Sequence, residues 1–214
     1  MADNQISKTP WGDPDADPEH VRAYAATRGG PEYGELLDAQ RLLNDRLAGA
    51  ALPPDVAAKV TAQLRDVVDT LADHQTAETG RYDGMRPDLP GRGHPLLPPY
   101  VIEHSRQGQV RGQVTFTRLH LGGNDAVHGG ALPLLFDDVL GRVANAEQEG
   151  IARTAFLKVN YRVVTPIDVE LTFDGTQDRV EGRKRFATGR LYGPDGTLLA
   201  DAESLFLRLL PGQP

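Results

Sequence analysis

Between Val127 and Gly141 the chain reads VHGGALPLLFDDVLG, and this stretch restricts the fold more than any other. Pro133 lacks an N–H, so a helix tolerates it only in the first turn, where that donor would have no partner anyway. A helix through these residues must start between Gly129 and Leu132, and its apolar character carries it from about Gly130 to Glu149. Before it, Val110, Gly112, Val114 and Phe116 alternate with Arg111, Gln113, Thr115 and Thr117, the period of a half-buried strand. Beyond Gly150 the strand texture returns four times, over 154–164, 169–174, 180–192 and 197–209. Thr165-Pro166, Asp174-Gly175 and Gly193-Pro194-Asp195-Gly196 read as the turns between them. One helix set early into consecutive antiparallel strands is an α+β arrangement, with the helix packed on the sheet face.

The first part of the chain has a different texture. Residues 1 to about 20 are polar and rich in Pro and Asp, a composition expected to be loosely held. Leu36, Leu37, Leu42, Leu43 and Leu47 then recur at roughly helical spacing. Pro53-Pro54 lead into Val56, Val60, Leu64, Val67, Val68 and Leu71, the pattern of one buried helix face. Together they predict a helical hairpin over about 33–78, joined between Gly49 and Pro54. The Gly-, Pro- and charge-rich run 79–99 reads as a linker or wrapping segment. The expected organisation is thus an N-terminal extension, 1–98, and an α+β domain, 99–214.

Bulk composition removes several function classes. A net charge of −7 argues against nucleic acid or an anionic membrane as partner, since either needs a basic face. With no Cys there is no disulfide, thiolate metal site or Cys nucleophile. The six His show no HExxH-type spacing, no Ser sits in a GxSxG elbow, and no Gly-rich loop matches a dinucleotide or P-loop pattern. No apolar run approaches a membrane span, and the acidic N-terminus lacks the features of a signal or transit peptide. The expectation is a soluble, cytoplasmic protein with no metal or redox cofactor.

The helix itself offers chemistry. A start at Gly129–Leu132 leaves the Gly129 and Gly130 amides at a helix N-terminus, where the dipole adds to donors suited to an oxygen gaining negative charge. Further along lie Asp137 and Asp138, among Leu132, Leu134, Leu135, Phe136, Val139, Leu140 and Val143. Two adjacent carboxylates cannot both face solvent on so apolar a helix, so one is expected to be partly buried. The helical wheel does not choose between them. Gly129 and Asp137 are eight residues apart, roughly 12 Å along the axis. One scissile carbon cannot touch both groups of a single helix. If both act on one substrate, two antiparallel copies of the helix must supply them, which predicts a dimer with composite sites.

The stretch from Val110 to Leu209 resembles the hotdog-fold thioesterases of the phenylacetate-pathway (PaaI-like) type, in which an antiparallel sheet wraps a long helix. In that family an acidic residue, nucleophile or general base, follows the second Gly of an HGG turn by seven positions. From Gly130 that count lands on Asp137. The family also carries a Ser or Thr seven residues before a strand Tyr, helping to place the attacking water. Thr154 stands seven before Tyr161, and Val159-Asn160-Tyr161 with Pro166 matches the family's strand and turn. The resemblance implies an acyl-CoA thioesterase, dimeric or tetrameric, acting on a small-molecule substrate. It departs at Gly122, where many members place an Asn or Gln that binds the thioester carbonyl. Either Asn124 takes that part, or the oxyanion rests on Gly129 alone. The sequence is in this respect more similar to longer members with an N-terminal extension.

Other candidates are less specific. His128 reads first as a ring that fixes the loop and second as a base. Arg183, Lys184 and Arg185 could meet coenzyme A phosphates, although a charge run on a strand ordinarily marks a solvated face. Two rival functions share the fold: an acyl-CoA-binding module without turnover, and a hydratase or dehydratase pairing Asp125 with His128.

Overall fold

A computed structural model describes residues 18–106, 108–146 and 150–213. The polar N-terminal run lies mostly outside the described residues, as do the last residues of the helix expected to end at Glu149. Strands β1 (Val101–Arg106), β2 (Gln109–Thr115), β3 (Leu121–Gly123), β4 (Ala126–Val127), β5 (Ala152–Tyr161), β6 (Glu170–Glu181), β7 (Lys184–Tyr192) and β8 (Leu198–Arg208) accompany helices α1 (Pro18–Ala26), α2 (Gly30–Ala48), α3 (Pro54–Ala72) and α4 (Ala131–Asn145). Six strands form one antiparallel sheet in the order β1-β2-β6-β7-β8-β5, and β3 pairs with β4 in a small hairpin. The sheet wraps α4, as the hotdog resemblance implies. Strand β1 escaped the sequence reading, since Val101–Arg106 shows no clean alternation.

Helix α4 begins at Ala131, so Pro133 falls in its first turn. Leu132, Leu135, Phe136, Val139, Leu140 and Val143 are buried against Val114, Leu171, Phe173, Ala187, Leu191 and Phe206 of the sheet. Each such side chain contributes about 1.5–3 kcal/mol relative to exposure. Asp174-Gly175, read as a turn, instead lies inside β6, which runs unbroken to Glu181; the reversal comes at Gly182. The glycine serves packing rather than turning. Gly175 pairs with Gly189 across β6 and β7. A Cβ at Gly175 would lie 3.1 Å from Val110 and 3.2 Å from Leu140, and one at Gly189 would lie 3.1 Å from Phe136. The paired glycines let α4 sit down on the sheet.

The two N-terminal helices expected, joined between Gly49 and Pro54, are present as α2 and α3. The sequence pattern does not announce helix α1, and α3 buries no residue: Val56, Val67, Val68 and Leu71 are exposed. The spacing that announces a helix is correct, but no described part of the chain covers its apolar face. Helix α2 is anchored instead by the 79–99 segment and the turn before β3. Leu37 is buried, the Arg41 guanidinium donates to the Pro90 carbonyl (2.8 Å), and Asp45 accepts the Leu119 N–H (3.0 Å). Arg86 is almost fully buried; it pairs with Asp88 and donates to the carbonyls of Arg28 and Gly30, tying α1 to α2. The wrapping segment also reaches the main core, where Leu97 and Tyr100 are buried.

Candidate active site

Asp137 and Asp138 leave α4 in different directions. Asp138 turns inward, with its side chain 13% exposed, and accepts both forks of the Arg92 guanidinium and the Tyr100 hydroxyl. Arg92 also donates to the Gly84 carbonyl, 2.8 Å away. Burial, then the Asp138 charge, pushes the Tyr100 hydroxyl well above its ordinary range, so it remains a donor to the carboxylate. Asp138 is thereby committed to holding the wrapping segment on the helix. Nothing in the sequence signals Arg92 as its partner, because the contact spans 46 residues. Asp137 is exposed, and the Thr154 hydroxyl donates to its Oδ1 at 2.8 Å.

Thr154 reaches α4 because β5 is irregular. Residues seven apart on a regular strand point to opposite faces, so Thr154 and Tyr161 should diverge. The β5–β8 register slips between Thr154 and Phe156, where Ala155 is an extra residue. Thr154 therefore lies opposite Phe206 and Tyr161 opposite Ala200, both buried residues on the helix-facing side. The Tyr161 hydroxyl donates to the Gly129 carbonyl at 2.7 Å. Sequence spacing noted Tyr161 but not this contact. The available signal was the odd interval, which demands a bulge if both residues serve one face.

The turn before α4 differs from two free amides. The Gly130 N–H donates to His128 Nδ1 (3.0 Å), and the Ala131 N–H to the His128 carbonyl (2.9 Å). The Gly129 N–H has no acceptor among the described residues, so within the HGG turn it is the amide left for a ligand. His128 is exposed and acts on the loop as an acceptor at Nδ1; its own N–H donates to the His120 carbonyl (2.7 Å). Asn124 and Asp125, both at positive φ, form the two-residue turn between β3 and β4. At Gly122 a Cβ would lie 2.8 Å from His128 Cα. An amide side chain has no room there without moving the HGG turn.

Arg183 and Lys184 lie at the β6–β7 turn, toward the C-terminal end of α4. Arg183 Nε donates to the Arg208 carbonyl at 2.9 Å, and Lys184 is exposed. Arg185, grouped with them as a surface run, is buried. Its guanidinium donates to the Ala144 carbonyl (3.1 Å), Asn145 Oδ1 (2.9 Å) and the Gly150 carbonyl (3.0 Å). It caps the C-terminus of α4, where orphan carbonyls and the dipole favour a cation. Among the described residues no cluster of His, Asp and Glu is arranged to hold a metal ion, and no helix is long and apolar enough to cross a membrane.

A thioesterase superfamily protein of known crystal structure superposes with a TM-score of 0.68 at 30% sequence identity, covering 82% of this chain and 90% of that one. This chain belongs to the thioesterase superfamily. No family model matches the sequence. Among curated proteins, the superfamily member is similar to acyl-coenzyme A thioesterase THEM4 of Mus musculus, 35% identical over 98 residues, which is 45% of this chain and 42% of the mouse protein. THEM4 of Rattus norvegicus matches over the same share at the same identity. The chain thus spans about two fifths of the length of these curated relatives. The match at 90% of the structural relative includes residues before the sheet, since the hotdog domain alone is well under 82% of the chain.

Proposed function

We propose that this thioesterase-superfamily chain hydrolyses acyl-CoA thioesters to the free acid and coenzyme A, as a homodimer with two composite sites and without a metal or redox cofactor. The observation that carries this reading is the exposed Asp137 carboxylate held by the Thr154 hydroxyl. The resemblance to proteins named acyl-coenzyme A thioesterase supports the substrate class. The thioester oxygen rests on the Gly129 N–H of one protomer, while Asp137 of the other approaches the carbonyl carbon. As nucleophile, its free oxygen bonds to that carbon, the C–S bond breaks, and the coenzyme A thiolate leaves to take a proton from water. Water then opens the mixed anhydride, releasing the acid and restoring the carboxylate. As general base, Asp137 instead takes a proton from water while the hydroxide adds, and returns it to the departing thiolate. Thr154 donates its own proton to Asp137, so its lone pairs are free to accept from a water beside the carboxylate.

Two features favour the dimer. Gly129 and Asp137 lie roughly 12 Å apart along one helix, and β5 is an outer strand with no partner on one side among the described residues. Ile151, Phe156, Val163 and Val164 are exposed on or beside it, and an open apolar edge of this kind is a pairing surface. Turnover of an acyl-CoA panel, followed with a thiol reporter, tests the function. The expected result is release of coenzyme A, reduced at least about 100-fold in Asp137→Asn. No turnover with ligand-induced thermal stabilisation would instead mark a binding module, and hydration of an enoyl-CoA would mark a hydratase. A monomer with full activity would overturn the composite site.

A further inference from the structure

Gly129 carries an amide with no acceptor among the described residues, yet glycine is the residue least able to hold an amide still. The peptide groups on either side of it are both restrained. The 128–129 peptide is held through the His128 carbonyl, which accepts the Ala131 N–H at 2.9 Å. The peptide is trans, so its Gly129 N–H points the opposite way, out of the N-terminal end of α4. The 129–130 peptide is held at both of its polar atoms: its carbonyl accepts the Tyr161 hydroxyl at 2.7 Å, and its N–H donates to His128 Nδ1 at 3.0 Å. With both planes restrained, the φ and ψ of Gly129 have little freedom left.

We propose that Tyr161 is a positioning residue for the oxyanion donor: its hydroxyl, with the His128 ring, clamps the Gly129–Gly130 peptide and so aims the Gly129 N–H. The inference rests on the thioesterase reading and deepens it. In this chain the clamp matters more because Gly122 carries no side-chain donor. Position 122, where an amide side chain would supply it, is closed by the His128 backbone. The clamp also links the two halves of the chemistry within one protomer. Strand β5 supplies Thr154 to Asp137 at one point and Tyr161 to Gly129 at another, so a single strand sets the position of the carboxylate and of the amide, each serving a different site of the dimer.

Tyr161→Phe removes only the hydroxyl. Deleting an oxyanion donor outright costs about 100- to 1,000-fold in kcat, so loosening one should cost about 3- to 10-fold. KM should stay within about twofold, because the ground-state carbonyl gains least from the amide. Thermal stability should change little at so exposed a residue. A second readout does not depend on activity: hydrogen exchange and backbone relaxation of the Gly129 and Gly130 amides, which should speed up and loosen in Tyr161→Phe while the α4 interior is unchanged. Unchanged kcat with unchanged amide dynamics would overturn the proposal. So would a raised KM at constant kcat, since Tyr161 would then be a substrate contact. If the wild-type protein hydrolyses no thioester, the function reading falls separately, and the amide measurements alone decide whether the clamp exists.

Discussion

Asp137 and Asp138 are adjacent and chemically identical, yet the structure requires opposite outcomes from the same substitution. Asp138→Asn keeps the side-chain volume but replaces a carboxylate by an amide. Its new N–H2 group faces donors, the Arg92 fork and the Tyr100 hydroxyl. Arg92, only 14% exposed, loses the carboxylate that accepts its fork. Removing one member of a buried, hydrogen-bonded pair costs about 3 kcal/mol, which for a chain of this size lowers Tm by about 6–12 °C. The wrapping segment that carries Arg92 should loosen first, visible as faster hydrogen exchange around Gly84 and Arg92. Below its Tm the variant should hydrolyse acyl-CoA within a fewfold of the wild type. Asp137→Asn should do the reverse, leaving Tm in place and abolishing turnover. Differential scanning calorimetry beside the thiol-release assay reads both. If Asp138→Asn lost turnover with Tm intact, or Asp137→Asn kept turnover, the assignment of the two carboxylates would be refuted.

Thr154→Ala should lower kcat about tenfold by freeing Asp137 of its hydroxyl donor, and Thr154→Ser should restore most of it. Retained activity in the alanine variant would show that the hydroxyl does not serve the reaction. Arg185→Met should cost about 2–4 kcal/mol through the lost α4 cap without raising KM for acyl-CoA, whereas Arg183→Ala combined with Lys184→Ala should raise KM if those two residues meet coenzyme A phosphates. An unchanged KM in the double variant would remove them from the binding site. Burial holds the His120 ring below its ordinary pKa, so the unfolded chain binds a proton there, near pH 6.5, before the folded chain does. Stability should therefore fall as pH is lowered through the window below about 6.5 and level off beneath the folded pKa. His120→Asn, which keeps an acceptor for the Thr117 N–H, should show a flatter loss between pH 7 and 5. An identical pH slope would refute that assignment.

Local chemistry determined much of this protein from its sequence. Pro133 can stand only in a first helical turn, so the start of α4 follows from one residue, and Gly129-Gly130 must precede it. The alternation in β2 and the Gly193–Gly196 turn are equally local, and the α+β order follows from them. Helix arithmetic alone separates Gly129 from Asp137, which is the ground for the proposed second protomer. What tertiary structure decided depends on contacts between residues distant in the chain. Gly175 looked like a turn because its partner Gly189 and the helix lying on both are invisible from Asp174-Gly175 itself. The apolar stripe of α3 announced a helix, but only the folded chain shows the stripe uncovered. The choice between Asp137 and Asp138 was undecidable on the wheel, since burial of Asp138 depends on Arg92, 46 residues earlier. One extra residue in β5, Ala155, places Thr154 on the helix side; the odd Thr154–Tyr161 interval hints at a bulge, and strand pairing locates it. Periodicity reports which face a residue belongs to within its own element; which partner meets that face is a property of the packed molecule.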